Sequence, residues 1–175
     1  MLDDERLGRF KRVVMPHLDA AYNLARWLTR NEQDADDVVQ EATLRALRGL
    51  DGLRGDDARC WLLTIVRNTC FTWLRRNRPG ETQPSPQDDS PGVPVDMLEP
   101  GEILEQATRA RGVREAIGAL PAHYREIVIL REMEGMSYKE IAQVTGLPPG
   151  TVMSRLARAR ERLHESLAPL AAEET

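Results

Sequence analysis

The sequence predicts an all-α protein made of two small helical domains joined by a flexible, acidic, proline-rich linker, the second domain a helix-turn-helix. Apolar residues make up 41% of the 175 residues, charged residues 30% and aromatic residues only 5%, a balance typical of soluble helical proteins. Six of the eleven prolines lie between Pro79 and Pro100, where no helical or alternating period is visible. We therefore assign residues 1–78 and 110–175 to the two domains and 79–109 to the linker.

The formal net charge of −4 is unevenly distributed along the chain. Residues 1–78 carry a net +2, residues 79–105 carry −7 with no basic residue, and residues 106–175 carry +1. The acidity therefore belongs to the linker. Its composition fits either a simple tether or an acidic strand that occupies a channel built for nucleic acid.

Several classes of protein are disfavoured by the composition. The longest apolar run, residues 60–66, is too short to cross a membrane, and residues 1–12 lack a signal-peptide pattern, so we expect a cytoplasmic protein without membrane insertion. Two cysteines and three scattered histidines give no zinc-site spacing, so neither metal nor cofactor is expected. Cys60 and Cys70 are separated by roughly 15 Å along one helix, which predicts two buried or half-buried thiols rather than a disulfide.

The first clearly periodic helix covers Asn31 to Leu50. Its acidic residues cluster in the first turns, where the helix dipole favours them. A leucine, Leu44, lies amid the polar face and suggests a surface for a protein partner. The predicted core face comprises Ala35, Val38, Val39, Ala42, Ala46 and Leu50, and the polar face comprises Asp34, Asp37, Gln40, Glu41, Leu44 and Arg48.

The next helix follows a loop marked by Gly52 and Gly55, and Asp56 or Asp57 can cap it. Basic and aromatic residues interleave outside its core positions, a pattern that suits single-stranded nucleic acid. Solvation explains the arginine cluster at 75, 76 and 78 equally well, and Trp73 is interpreted as a core residue. The predicted inward residues are Leu62, Ile65, Val66, Thr69 and Trp73, and the others are Trp61, Arg67, Phe71, Arg75, Arg76 and Arg78.

The second domain begins with a predicted helix over Leu120 to Gly135, where the glycine ends it. Ser137 and Glu140 form a capping-box pattern before a short helix, Gly146 provides a turn, and Pro148-Pro149 opens a further helix. Two short helices around a glycine turn indicate a helix-turn-helix, although an ordinary helical hairpin would share the pattern. The predicted inward residues are Ile127, Val128, Leu130, Met133, Ile141 and Ala142.

The last helix places its polar residues on distinct sides when projected at about 100° per residue. Ser154 and Arg158 lie opposite the apolar stripe, which comprises Val152, Leu156, Ala159, Leu163 and Leu167. Met153 and Ala157 edge one flank of the polar side, and Arg155 and Arg162 edge the other. Arg160 falls near the stripe and is expected to snorkel or to pair with an acid. We expect this helix to contact DNA.

Three stretches together resemble bacterial extracytoplasmic-function (ECF) sigma factors: DADDVVQEATLRAL, RGDDARCWLLTIVRNTCFTWLRR and LPAHYREIVILREMEGMSYKEIAQVTGLPPGTVMSRLARARERL. The resemblance covers about residues 10–78 and 110–168. It implies an RNA polymerase sigma factor that binds core polymerase and directs promoter-specific transcription initiation. It also implies an anti-sigma factor as a regulator and favours the channel-filling role for the linker.

The resemblance assigns three groups of residues. Core polymerase docking falls to Asp37, Gln40, Glu41 and Leu44. Contact with the melted minus-ten strand, including a flipped base, falls to Arg54, Asp56, Asp57, Trp61, Asn68, Arg75 and Arg76. Contact with the double-stranded minus-thirty-five element falls to Thr151, Met153, Ser154, Arg155, Ala157, Arg158 and Arg162.

One departure from the family limits what the last helix can read. The family often has a basic residue at the position of Met153 and sometimes an aromatic at that of Ala157. Neither side chain here can hydrogen-bond a base, so Ser154 and Arg158 remain the main direct readers and indirect readout gains weight.

The sequence leaves two alternatives to the sigma-factor role. A stand-alone helix-turn-helix regulator would bind DNA without polymerase, usually as a dimer, but no sensor pocket or dimer helix is evident. An enzyme acting on nucleic acid would need a metal-binding acid cluster or a nucleophile with its base. Asp34, Asp36 and Asp37 are close in sequence but lack a convergent partner, so we do not expect an enzyme.

Overall fold

The structure, a computed structural model, describes residues 3–55, 57–81 and 107–172, which form helices and turns without strands. The all-α prediction is confirmed for these residues. The chain divides into two compact units, Met1–Glu81 with Ala142–Gly146 and Thr82–Ile141 with Leu147–Thr175. Most of the predicted acidic linker, residues 82–106, lies outside the described residues, as does Asp56, so the predictions made for them stay predictions.

The described helices up to residue 81 are α1 (Asp4–Val13), α2 (Leu18–Thr29), α3 (Glu32–Arg48) and α4 (Ala58–Asn77), with 3-10 turns at Met15–His17, Leu50–Gly52 and Pro79–Glu81. Helices α2, α3 and α4 pack against one another. Asn31 caps α3 by accepting a hydrogen bond from the Asp34 amide at 3.0 Å. Asp57 caps α4 by accepting one from the Cys60 amide at 3.3 Å, as predicted.

The core of this part matches the predicted face of α3, except that Val39 is only half-buried. For α4 the prediction was too narrow, because the helix packs against both α2 and α3 and so buries a wide arc. Ile65 and Trp73, which the sequence predicted to point into the core, are only half-buried. The buried residues of α4 include four that the sequence analysis did not predict to be buried: Ala58, Leu63, Phe71 and Leu74. Cys60 and Cys70 are both buried and unbridged, which confirms their prediction as thiols.

The described helices from residue 107 onward are α5 (Ala107–Ala119), α6 (Ala122–Val128), α7 (Tyr138–Thr145) and α8 (Pro149–Ala172), with a π-helical turn at Ile129–Met133 continuing α6. Helix α5 begins three residues inside the range assigned to the linker. Helix α8 packs against α5 and α6. Gly112 permits the close approach of α5 and α8, because a Cβ there would lie 2.4 Å from the Leu170 Cδ1 atom.

The prediction that Met133 points into the core is wrong, because its side chain is 45% exposed. Ile127, Val128 and Leu130 are buried as predicted. The difference arises in the π turn, where the Glu134 amide donates to the Ile129 carbonyl, an i to i+5 bond, at 3.1 Å. A wider turn shifts the helical phase, so the 3.6-residue period no longer locates the inward side.

The predicted glycine turns and capping box of the helix-turn-helix are confirmed. Gly135 and Gly146 have φ of +64° and +73°, conformations that favour glycine. The Ser137 amide donates to Glu140 Oε1 at 3.2 Å, and the Glu140 amide donates to Ser137 Oγ at 3.1 Å. Ile141 is buried and Ala142 half-buried. The apolar stripe of α8 is buried, apart from half-buried Leu167.

Within the described ranges, no helix combines the length and apolar character that a membrane span requires.

Candidate nucleic-acid interface

One face of α4 carries Trp61, Asn68 and Arg75, which follow one another at seven-residue intervals. Seven residues are close to two helical turns, so the three side chains point to the same side. Asn68 and Arg75 are exposed and Trp61 is half-buried. The Trp61 ring lies beside Gly49, since a Cβ there would be 4.0 Å from Trp61 Cζ2. Arg76 is exposed on the flank of the same face, which therefore offers an aromatic ring, an amide and two cations.

Arg67 orients part of this face. Its guanidinium lies over the Phe71 ring at 4.1 Å from the centroid and donates to Asn68 Oδ1 at 3.3 Å. Arg75 donates to the Thr72 hydroxyl at 3.4 Å. The sequence pattern placed Arg67 outward without giving it this role; its position one residue before Asn68 and four before Phe71 is the signal that could have indicated it.

Arg78 differs from Arg75 and Arg76 because it is bound into the fold. Its Nη1 donates to the Thr29 carbonyl at 2.6 Å, and its Nη2 lies 3.5 Å from Asp34 Oδ2. It also pairs with Glu81 at 3.9 Å and lies 5.2 Å from the centre of the Trp73 ring. The three-arginine cluster therefore separates into one structural arginine and two exposed ones.

The loop before α4 presents Arg54 and Asp57 as exposed side chains. Gly55 between them has φ +76°, so the turn depends on a glycine. Asp57 also caps α4, so its carboxylate already has a structural task. Asp56, the third acidic or basic residue predicted in this loop, lies outside the described residues.

The predicted docking face of α3 forms one exposed stripe. Asp37, Gln40 and Glu41 are exposed, and Leu44 is 44% exposed. Glu41 pairs with Arg45 at 2.8 Å, one turn along the same helix. An exposed leucine bordered by acids and an amide offers apolar and polar contacts to a protein partner.

The polar side of α8 presents the residues predicted to read DNA. Thr151, Ser154, Ala157 and Arg158 are half-buried, and Met153 is 54% exposed. The Ser154 hydroxyl donates to the Thr151 carbonyl at 3.1 Å, which leaves its oxygen able to accept. These side chains lie on the side of α8 away from its buried stripe.

The arginines of α8 have different environments. Arg160 pairs with Glu132 at 2.9 Å, which confirms the expected pairing with an acid. Arg162 is exposed, and its guanidinium lies 4.8 Å from the centre of the Tyr124 ring. Arg155 is only 7% exposed, which its place on the edge of the polar side did not predict.

Among the residues that the structure describes, no three His, Cys, Asp or Glu side chains come together as a metal site.

Family models match both halves of the chain. The model for Sigma-70 region 2 matches residues 13–79, and that for Sigma-70, region 4 matches residues 110–163. The two regions in this order define a sigma factor of the sigma-70 type rather than a stand-alone helix-turn-helix regulator.

Individual relatives refine this class. The chain is 36% identical over 150 residues to the ECF RNA polymerase sigma-E factor of Escherichia coli K12, covering 78% of this chain and 75% of the relative. It is 31% identical over 166 residues to the ECF sigma factor SigE of Mycolicibacterium smegmatis, covering 95% of this chain but only 64% of that longer protein. The sigma factor RpoE of Bartonella quintana, solved with the anti-sigma factor NepR, is similar in structure, with a TM-score of 0.69 and 30% sequence identity. The similarity covers 91% of this chain and 96% of the Bartonella chain. The chain belongs to the ECF family of RNA polymerase sigma factors.

Proposed function

We propose that this chain binds core RNA polymerase through α3, captures the melted minus-ten strand with α4 and its preceding loop, and reads the minus-thirty-five element with α8. The observation that carries the proposal is the exposed face of α4 with Trp61, Asn68 and Arg75 in line. The chain acts as an initiation factor, is not an enzyme, and requires no metal or nucleotide of its own.

The docking step uses the stripe of Asp37, Gln40, Glu41 and Leu44. Leu44 supplies the apolar contact, since its side chain is 44% exposed amid the polar face of α3. The surrounding acids and amide set orientation through charge and hydrogen bonds. Arg45, one turn further along α3, pairs with the Glu41 carboxylate at 2.8 Å and so lies beside the same stripe.

The minus-ten step uses the α4 face for the strand and the preceding loop for a base. Arg75 and Arg76 bind phosphates, and Asn68, whose amide Arg67 already orients, hydrogen-bonds a nucleotide. Trp61 offers the aromatic surface on which an unstacked base can lie. Flipping a base costs a few kcal/mol, which contacts from Arg54, Asp56 and Asp57 would offset.

The minus-thirty-five step relies on Ser154 and Arg158 as direct readers. Met153 and Ala157 make only apolar contacts, so thymine methyl groups and DNA shape contribute the remaining selectivity. Thr151 and Arg162 bind phosphates. Arg155, being 7% exposed, is assigned to holding α8 in place rather than to a base.

Partners and location extend this proposal. The structurally similar Bartonella quintana sigma factor was solved with an anti-sigma factor, which supports such a regulator here. The acidic residues between 79 and 105 fit a channel of the polymerase that otherwise holds nucleic acid. A factor working with RNA polymerase on promoter DNA would act in the cytoplasm.

The proposal is tested by binding the holoenzyme, core polymerase with this chain, to forked promoter DNA that carries a single-stranded minus-ten segment. Asn68→Ala should weaken binding about tenfold, the effect of losing a contact worth about 1.4 kcal/mol. Thr43→Ala, on α3 rather than α4, is the control. Equal binding by wild type and Asn68→Ala would show that this face does not bind the strand.

A further inference from the structure

The first helix carries arginines at positions 6, 9 and 12 that line a cleft of about 370 Å³ beside the connection from α3 to α4. We propose that Arg6 and Arg9 clamp this connection and so position the minus-ten loop for base capture. They would be positioning residues, acting through residues 47–53 rather than by touching DNA. The inference rests on the proposed function, in which the loop beginning at Arg54 receives a base.

Arg6 makes three contacts with the end of α3 and the turn that follows it. Its Nη2 donates to the Arg48 carbonyl at 2.8 Å and the Leu47 carbonyl at 3.2 Å, and its Nη1 lies 3.1 Å from Asp51 Oδ2. The last carbonyls of a helix have no partner within the helix and form the negative end of its dipole. A guanidinium meets both needs, so Arg6 holds the last residues of α3 and the start of the connection together.

Arg9 binds the other end of the connection. Its Nη2 donates to the Leu53 carbonyl at 3.2 Å, immediately before Arg54. Leu50 and Leu53 are themselves buried, at 0% and 5% exposure. At Leu53, two residues before the turn at Gly55, the chain is therefore held both by the buried side chain and by the hydrogen bond from Arg9.

The contacts of Arg6 and Arg9 should strengthen base capture because they hold the loop in place before the base binds. A loop that is free before binding loses conformational freedom when a base enters, and this loss weakens binding. Fixing the backbone at residue 53 removes part of that loss. The effect should therefore depend on the captured base, whereas a loss of phosphate attraction or of general stability would affect every DNA alike.

Arg12 supplies a matched control within the same helix. It lines the same cleft and its side chain is exposed. Arg12→Ala removes the same charge from the same side of α1 as Arg9→Ala. Differences between the two variants therefore report the contact to Leu53 rather than net charge.

The experiment measures binding of holoenzymes to forked promoter DNA whose single-stranded minus-ten segment is intact or has one abasic nucleotide, placed at each position in turn. Wild type should lose affinity most at one position, that of the captured base. Arg9→Ala should bind intact DNA about tenfold more weakly, because the backbone at Leu53 is no longer held before the base enters, yet bind the DNA abasic at that position within about twofold of wild type. Arg12→Ala should keep the wild-type difference, and Arg9→Lys, which keeps a donor, should restore part of it.

Three outcomes would overturn parts of this reasoning. If no abasic position weakens wild-type binding more than its neighbours, base capture itself is wrong, and the proposed function fails before the clamp is tested. If wild type shows the difference but Arg9→Ala weakens intact and abasic DNA equally, the clamp inference is wrong while base capture stands. If Arg12→Ala matches Arg9→Ala, charge rather than the Leu53 contact is responsible. Thermal unfolding of each variant verifies that it is folded, and Arg6→Ala repeats the test at the other end.

Discussion

Replacing Arg78 by alanine should destabilise the N-terminal helices, whereas the same change at its neighbours Arg75 and Arg76 should not. Arg78 donates to the Thr29 carbonyl at 2.6 Å from a side chain that is 30% exposed. Losing a charge-assisted hydrogen bond costs about 1.5–3 kcal/mol, and the pairs with Asp34 and Glu81 add at most about 0.5 kcal/mol each at such exposure. Because water can replace part of these contacts, we expect a loss of about 2 kcal/mol.

The assay is urea unfolding followed by tryptophan fluorescence. All three tryptophans, Trp27, Trp61 and Trp73, lie in the first 81 residues, so the signal reports on this part of the chain. Arg75→Ala and Arg76→Ala should stay within about 0.5 kcal/mol of wild type. Instead, the affinity of each variant for single-stranded DNA should fall less steeply with salt, the slope of the logarithm of the binding constant against the logarithm of the salt concentration being smaller by about 0.7.

Either of two results would refute this reasoning about the arginine cluster. The first is a free energy of unfolding for Arg78→Ala within about 0.5 kcal/mol of wild type. The second is equal destabilisation by all three variants, because the structure distinguishes the contacts of Arg78 from the exposed side chains beside it.

Three further predictions concern the other faces. Arg158→Ala should lose about 1–3 kcal/mol of discrimination at one minus-thirty-five base pair, measured by competition among promoter variants; unchanged selectivity would mean that another residue reads the element. Gln40→Ala combined with Glu41→Ala should weaken core polymerase binding, and co-purification at the wild-type level would place docking elsewhere. A double-mutant cycle of Arg160→Met and Glu132→Gln, measured by thermal unfolding followed by circular dichroism, should give a coupling energy of about 1 kcal/mol, because both side chains are three-quarters buried. A coupling energy below about 0.3 kcal/mol would mean that the ion pair does not stabilise the fold.

The sequence predicted the helix-turn-helix well because the cap and the turn that define its helices depend on neighbouring residues. The capping box of Ser137 and Glu140 and the left-handed turn at Gly146 are set by the chain within a few residues. The exposure of Met133 could not be predicted in this way, because Met133 lies at the end of a π turn that changes the helical phase. Because π turns are rare within α-helices, a sequence projected at the 3.6-residue period does not anticipate one.

Long-range partners explain most of what the sequence left open at the candidate sites. Arg78 looked like its neighbours in a basic cluster, and only the folded chain brings it to the Thr29 carbonyl, 49 residues away. The sequence pattern gives no sign of the contacts made by Arg6 and Arg9, because their partners lie 41 to 44 residues further along the chain. Arg160 was predicted more successfully, since its nearness to the apolar stripe already required a partner.

The most direct test is transcription in vitro by core RNA polymerase with this chain, with start sites mapped across genomic DNA. The proposed function predicts initiation at a set of starts that share two upstream elements, and no such starts with core polymerase alone. A chain that yields no starts beyond those of core polymerase, yet binds specific DNA tightly by itself, would contradict it.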